Sequence, residues 1–212
     1  MPELEKLHDA ILNGDAKTAL AATKEAIEAG VSPSDLISLH MIPAMDEVGR
    51  LFECEEYFVP ELLLSGRAMK GALEILRPLL AAGGIEPTGK VVIGTVKGDL
   101  HDIGKNLVAS MLEGGGFEVT DLGTDVSPEK FIAAVAEKDA DIACLSALLT
   151  VTMPAMKTTI EAMKTAGMRG KVKVMIGGAP VTQQYADQIG ADGYSENANA
   201  AVALARKLVG AK

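Results

Sequence analysis

Apolar residues recur at two different periods along this chain. Up to residue 82 they repeat every three or four positions, as helices require. Leu4, Leu7 and Ile11 share one face; Asp15 stands where it can cap a second helix running to Ala29 and closed by Gly30. Ser32-Pro33-Ser34 opens a third helix, which Pro43 is expected to kink, and Val59-Pro60 starts a fourth reaching about Leu80. Residues 1–82 are therefore expected to form a four-helix bundle, and the Gly- and Pro-containing stretch 83–89 a linker. From residue 90 the pattern alternates. Short apolar runs at 90–96, 117–121, 141–146, 172–176 and 193–194 predict strands, separated by helical segments at 104–114, 128–137, 154–166, 180–189 and 198–209. Buried strands that alternate with helices imply βαβ units and a parallel sheet. The expectation for 90–212 is a flavodoxin-like, Rossmann-type α/β domain with five strands.

Charge supports this division. Of the 212 residues, 1–85 hold 14 acidic and 7 basic side chains, net −7, whereas 86–212 hold 15 and 13, net −2. A chain with formal charge −9 and 3% aromatic residues lacks both the cationic footprint and the stacking platforms that bind nucleic acid. No apolar run approaches a membrane span, and Met1-Pro2-Glu3-Leu4-Glu5 does not read as a signal peptide, so no membrane partner and a cytoplasmic address are expected. Cys54 and Cys144 have neither the number nor the spacing of a disulfide framework or a zinc site, and two free thiols are expected.

The candidate chemistry lies at strand ends. Gly98-Asp99-Leu100-His101-Asp102-Ile103-Gly104-Lys105-Asn106 follows the first strand and puts an imidazole at the carboxyl edge of the sheet, where open α/β folds bind ligands. Asp99 or Asp102 can orient that imidazole as a metal ligand's supporting carboxylate does, or can cap the helix that follows. Both readings stand on the sequence alone. Ser146-Ala147-Leu148-Leu149-Thr150-Val151-Thr152 closes the third strand with three hydroxyls, and Gly177-Gly178 closes the fourth.

Other chemistries lack their parts. A phosphate-binding loop needs four residues between its glycines; here five separate Gly98 from Gly104, and Asn106 stands where Ser or Thr should bind magnesium. Gly94, Gly98 and Gly104 do not form the dinucleotide fingerprint. A His-Asp metal hydrolase needs several His and carboxylate ligands, yet His8 and His40 both lie in the helical half. No nucleophile elbow surrounds Ser146.

The sequence resembles the cobalamin-binding module of methionine synthase and of the corrinoid proteins of methyltransferase systems. The likeness is carried by Asp99-x-His101-x-x-Gly104, then 41 intervening residues, Ser146-x-Leu148, 28 more, and Gly177-Gly178, in the family's order. It extends to the helical half, where Met45-x-x-Val48-Gly49-x-Leu51-Phe52 and Tyr57-Phe58-Val59-Pro60-Glu61-Leu62 look like the family's cap over the corrin ring.

The resemblance implies a bound cobalamin whose own base has left the cobalt, with His101 as the lower axial ligand, Asp99 receiving its other N–H and Thr152 bonding that carboxylate. It further implies that Gly98, Leu100, Asp102, Gly104, Ser146, Leu148, Thr150, Gly177, Gly178 and Ala198 contact the corrin or its tail, and that Phe52, Val59 and Leu62 shield the upper face. No catalytic residue is implied. The partner methyltransferases of such systems are typically (β/α)₈ barrels of about 250 residues, which this chain cannot contain. The reading is a corrinoid carrier that shuttles a methyl group between a donor-specific methyltransferase and an acceptor methyltransferase using tetrahydrofolate or a thiol, with a reductive activase as a further partner. An O-demethylase system is the first expectation for the donor and a methylamine system the next. The alternative, a cobalamin-responsive sensor, would need an output module that neither half supplies.

Overall fold

A computed structural model describes residues 2–83 and 86–210. Gly84 and Ile85, within the expected linker, lie outside the described residues. The chain divides into two compact units, Met1–Pro87 with Glu113–Gly116, and Thr88–Leu112 with Phe117–Lys212.

In the helical unit α1 spans Pro2–Leu12 and α2 spans Ala16–Glu28. Asp15 caps α2 by accepting from the Thr18 amide at 3.1 Å, and Gly30 ends the turn with φ +80°. The third helix is interrupted just before Pro43. The rod runs as α3 (Pro33–Leu36), a π-helical turn (Ile37–Met41) and α4 (Ile42–Glu53). A proline at 43 has no N–H for the turn before it, and its ring crowds the carbonyl four residues back. The wider turn relieves both, with the Ile42 amide reaching the Ile37 carbonyl. α5 (Val59–Ala82) continues through Pro78 and turns Leu62, Ser65, Met69, Ala72 and Leu76 inward as one buried stripe.

The second unit contains β1 (Lys90–Thr95), α6 (Ile103–Gly114), β2 (Glu118–Asp121), α7 (Pro128–Lys138), β3 (Ile142–Ser146), α8 (Pro154–Thr165), β4 (Lys173–Gly177), α9 (Gln183–Ile189), β5 (Gly193–Tyr194) and α10 (Ala198–Val209). The five strands are parallel in the order β2-β1-β3-β4-β5, the doubly wound arrangement with its switch point between β1 and β3. Boundaries shift by one to three residues. Helix α9 starts later than expected because Thr182 caps it, accepting from the Tyr185 amide at 3.2 Å. Thr88 and Gly89, expected in the linker, belong to the α/β unit, where the Gly89 carbonyl already accepts from the Glu118 amide. Val92, Leu145, Val174 and Ile176 meet Phe131, Met156 and Ile160 in its core. Gly94 in β1 makes room for the Phe131 ring, since a Cβ there would come within 2.8 Å of it.

Candidate functional site

Thr95, Ser146 and Gly177 are register partners across β1, β3 and β4, so the three candidate strand ends open side by side at one edge. Beyond Thr95 the chain turns at Gly98, whose φ of +85° suits a residue without a Cβ. That turn carries Asp99 inward, where it is 1% exposed.

Asp99 gathers five donors. Its Oδ1 accepts from the His101 amide at 3.1 Å and from the His101 ring at Nδ1, 2.8 Å away. Its Oδ2 accepts from the Thr152 hydroxyl at 2.6 Å and from the amides of Leu148 and Leu149 at 2.8 and 3.3 Å. Burial disfavours the charged carboxylate, but the bonds from Thr152, from the His101 and Leu148 amides and from the His101 ring outweigh it and hold the group far below its ordinary value of 3.8. Asp99 is thus an anion, which accepts only, so in the neutral imidazole the proton sits on Nδ1 and Nε2 carries the lone pair. The His101 side chain is 51% exposed. Of the two carboxylates flanking His101, Asp99 is the partner, and Asp102 lies exposed at the start of α6.

Apolar side chains surround the imidazole loop at the surface. Leu100, Ile103 and Val151 are each more than 70% exposed, with Leu148 and Leu149 beside them in the chain fold. Clustered apolar exposure of this kind marks a binding surface. Gly104, in the first turn of α6, has ordinary helical φ, and a Cβ added there would meet nothing within 4 Å. Glycine is a poor helix former, so the chain's own packing gives no reason for it. Gly177 likewise has room for a Cβ at 3.5 Å from the Ser195 carbonyl. Gly178 is different: at φ +133° a Cβ would overlap the Ala147 carbonyl oxygen.

Ser146 is half-buried and Thr150 exposed, both on the β3 side of this edge, while Ala198 is buried at the start of α10, where Asn197 caps the helix. The three cap candidates belong to the helical unit. Phe52 is half-buried in α4 and Val59 exposed at the start of α5. Leu62 corrects the expectation: it is 0% exposed, on the inward stripe of α5, and is a core residue of the bundle type.

Sequence reasoning missed three residues that hold the loop. The buried Thr95 hydroxyl donates to the His101 carbonyl at 2.7 Å. Asp125 accepts from the Gly98 amide, and Lys105, buried in α6, reaches Asp121. Thr95 was visible as a hydroxyl at a strand end. The other two depend on partners more than fifteen residues away, which no local pattern announces. Both cysteines are free; burial pushes the Cys144 thiol up to about 12, and Cys54 is exposed. Among the described residues no cluster of three or more His, Cys, Asp or Glu side chains could hold a metal ion, and no helix is long and apolar enough to cross a membrane.

Two family models match the chain, both described as B12 binding domains, one over residues 89–203 and one over residues 3–77. Dimethylamine corrinoid protein 1 of Methanosarcina acetivorans is 44% identical over 207 residues, 97% of each chain. Among solved structures, the methanol:cobalamin methyltransferase complex MtaBC of Methanosarcina barkeri aligns with a TM-score of 0.88 at 31% identity, over 100% of this chain and 81% of that one. A cobalamin-binding protein of Desulfitobacterium hafniense DCB-2 aligns with a TM-score of 0.79 at 33% identity, over 97% and 98% of the two chains. The strand-end geometry and both halves of the sequence point the same way: the chain belongs to the B12-binding family, among the corrinoid proteins of methyltransferase systems.

Proposed function

We propose that this corrinoid protein carries a methyl group between two methyltransferases, with His101 as the lower axial ligand of the bound cobalt. The observation that carries this reading is the geometry of one imidazole: Nδ1 of His101 lies 2.8 Å from the buried Asp99 carboxylate while the side chain stays half exposed, so the neutral ring held this way offers Nε2 to a ligand. A metal that arrives already held in a macrocycle needs only one such ligand, so a lone histidine suffices. The residues fit the group. Leu100, Ile103, Leu148 and Val151 offer apolar surface to a ring, and the open space over Gly104, with a bare backbone at Gly177, lets a large ligand approach closely. Bound cobalamin supplies a cobalt centre that takes up and releases methyl groups.

Within this reading Asp99 and Thr152 orient the ligand, and Gly98, Asp102, Ser146, Thr150, Gly178 and Ala198 border the corrin or its tail. Phe52 and Val59 shield the opposite face. The donor is proposed to be a methylated amine, because the relative matched over 97% of the chain is named for dimethylamine; an O-demethylase donor rests on no residue of this sequence. The partners are a donor-specific methyltransferase and an acceptor methyltransferase, with a reductive activase to restore the working oxidation state.

The test is to label the protein with ¹⁵N, load it with unlabelled cobalamin and record the paramagnetic spectrum of the cobalt(II) form. Ligation by His101 gives doublet superhyperfine splitting, which His101→Ala abolishes. A triplet from the cofactor's own base would overturn the assignment.

A further inference from the structure

The turn between β2 and α7 holds the start of the histidine loop. Asp125 accepts from the Gly98 amide at 2.8 Å through Oδ1, pairs with Lys97 at 2.9 Å through Oδ2, and donates its own amide to the Asp99 carbonyl at 2.9 Å. Four residues earlier Asp121 takes the ammonium of Lys105 at 2.5 Å, a side chain only 1% exposed that also donates to Asn106. The end of β2 and the turn after it therefore grip both the start of the loop and the helix that follows it.

Asp125 does this from a left-handed backbone, φ +53°. That conformation is costly for a residue with a Cβ, although Asp tolerates it better than most, and it persists only where the surroundings hold it. Gly98 is the residue most in need of such restraint, since a glycine at a turn has the widest conformational choice. The Lys97 pair is solvent-exposed on both sides and contributes little. What remains is the bond that the Asp125 side chain accepts from the Gly98 amide, beside the one its own amide gives to the Asp99 carbonyl.

We propose that Asp125 is a positioning residue for the cobalt ligand: by fixing Gly98 and the Asp99 backbone it sets the direction in which His101 presents Nε2. This rests on the reading of His101 as axial ligand. It adds to the Asp99–Thr152 pair a second carboxylate that lies outside the histidine motif.

Three variants separate hydrogen bonding from backbone strain. Asp125→Asn keeps an acceptor and suits the left-handed region, Asp125→Ala loses the acceptor and keeps the strain, and Asp125→Gly loses the acceptor while relieving the strain. In the cofactor-free protein, hydrogen exchange at the Gly98 amide is expected to quicken about five- to tenfold in Asp125→Ala and Asp125→Gly, the loss of one hydrogen bond, and to stay at the wild-type rate in Asp125→Asn. After ¹⁵N labelling and loading, the cobalt(II) spectrum of the first two should split into histidine-on and histidine-off populations, with Asp125→Asn matching wild type. Wild-type behaviour of Asp125→Ala overturns the proposal, as does recovery in Asp125→Gly or failure of Asp125→Asn. Should Asp125→Ala lose its cooperative melt, the Asn and Gly variants make the same comparison. If wild type itself lacks splitting from a protein nitrogen, the His101 reading fails, while exchange at Gly98 still judges the brace.

Discussion

Asp99 spends its hydrogen-bonding capacity tying its own loop to the one that follows β3, and its charge is part of the fold as much as of the site. Its folded pKa lies far below the ordinary carboxylate value. A depressed folded value means that the stabilisation is complete above the unfolded pKa and disappears as pH falls through the folded one. The cofactor-free protein should therefore keep its Asp99 contribution from neutral pH down to about pH 4 and lose it progressively in stronger acid. Asp99→Asn should flatten that acid limb of stability, followed by urea unfolding between neutral pH and pH 3, and should mix the two ring tautomers of His101, visible in its ¹⁵N shifts. An unchanged acid limb would mean that the five donors do not act on an ionised group. At this scale the sequence was legible where spacing alone carries meaning. Asp99, His101 and Thr152 stand in a recognisable series. Asp125 and Lys105 were not legible, because a carboxylate that caps an amide 27 residues away, or a lysine buried by a distant aspartate, looks like any surface charge in the sequence.

Elements were read more completely than their edges. Every strand and helix of the α/β unit follows from the alternation of apolar runs, and the order β2-β1-β3-β4-β5 brings the three motif segments together at the β1/β3 switch. The π-helical turn at Ile37–Met41 was not legible, since periodicity fixes which residues face inward but not whether a turn holds one residue more. Leu62 shows the converse failure: its motif position suggested a surface role, whereas its helical phase with Met69 and Leu76 makes it core. Helix α6 carries a prediction of its own. Gly104 occupies its first turn with open space above it, so Gly104→Ala should raise the stability of the cofactor-free protein by up to about 1 kcal/mol, read as a shift in the urea midpoint. The same methyl should weaken cobalamin binding, measured by titration. A variant that is more stable and binds as well as wild type would show that the space is not used.

At the scale of the whole molecule the two units divide the work by composition. The helical unit is acidic and rich in exposed apolar side chains, among them Leu39, Phe58 and Val59. The α/β unit holds the histidine loop and the glycines. If the helical unit shields the reactive cobalt–carbon bond, Phe52→Ala should speed the light-driven loss of methyl from bound methylcobalamin, followed by its visible spectrum, and should leave the His101 splitting unchanged. Photolysis at the wild-type rate would remove Phe52 from that role. A helical part followed by an α/β part was legible from the shift in period, and the family from motif spacing. The methyl donor was not, because no residue of the motifs distinguishes one donor from another.

The pair Gly177-Gly178 looks like a single signature, yet its two members answer to different constraints. Gly178 is required by the Ala147 carbonyl, which occupies the volume a Cβ would need, so Gly178→Ala should cost stability with or without cofactor; Gly177→Ala should be felt only when cobalamin is offered. In lines of descent where such a protein has given up its corrinoid, the second glycine should persist while the first drifts. On the reading that cobalamin lies against Gly177, a surviving second glycine dates the architecture, and only the first of the pair records that the ligand is still in use.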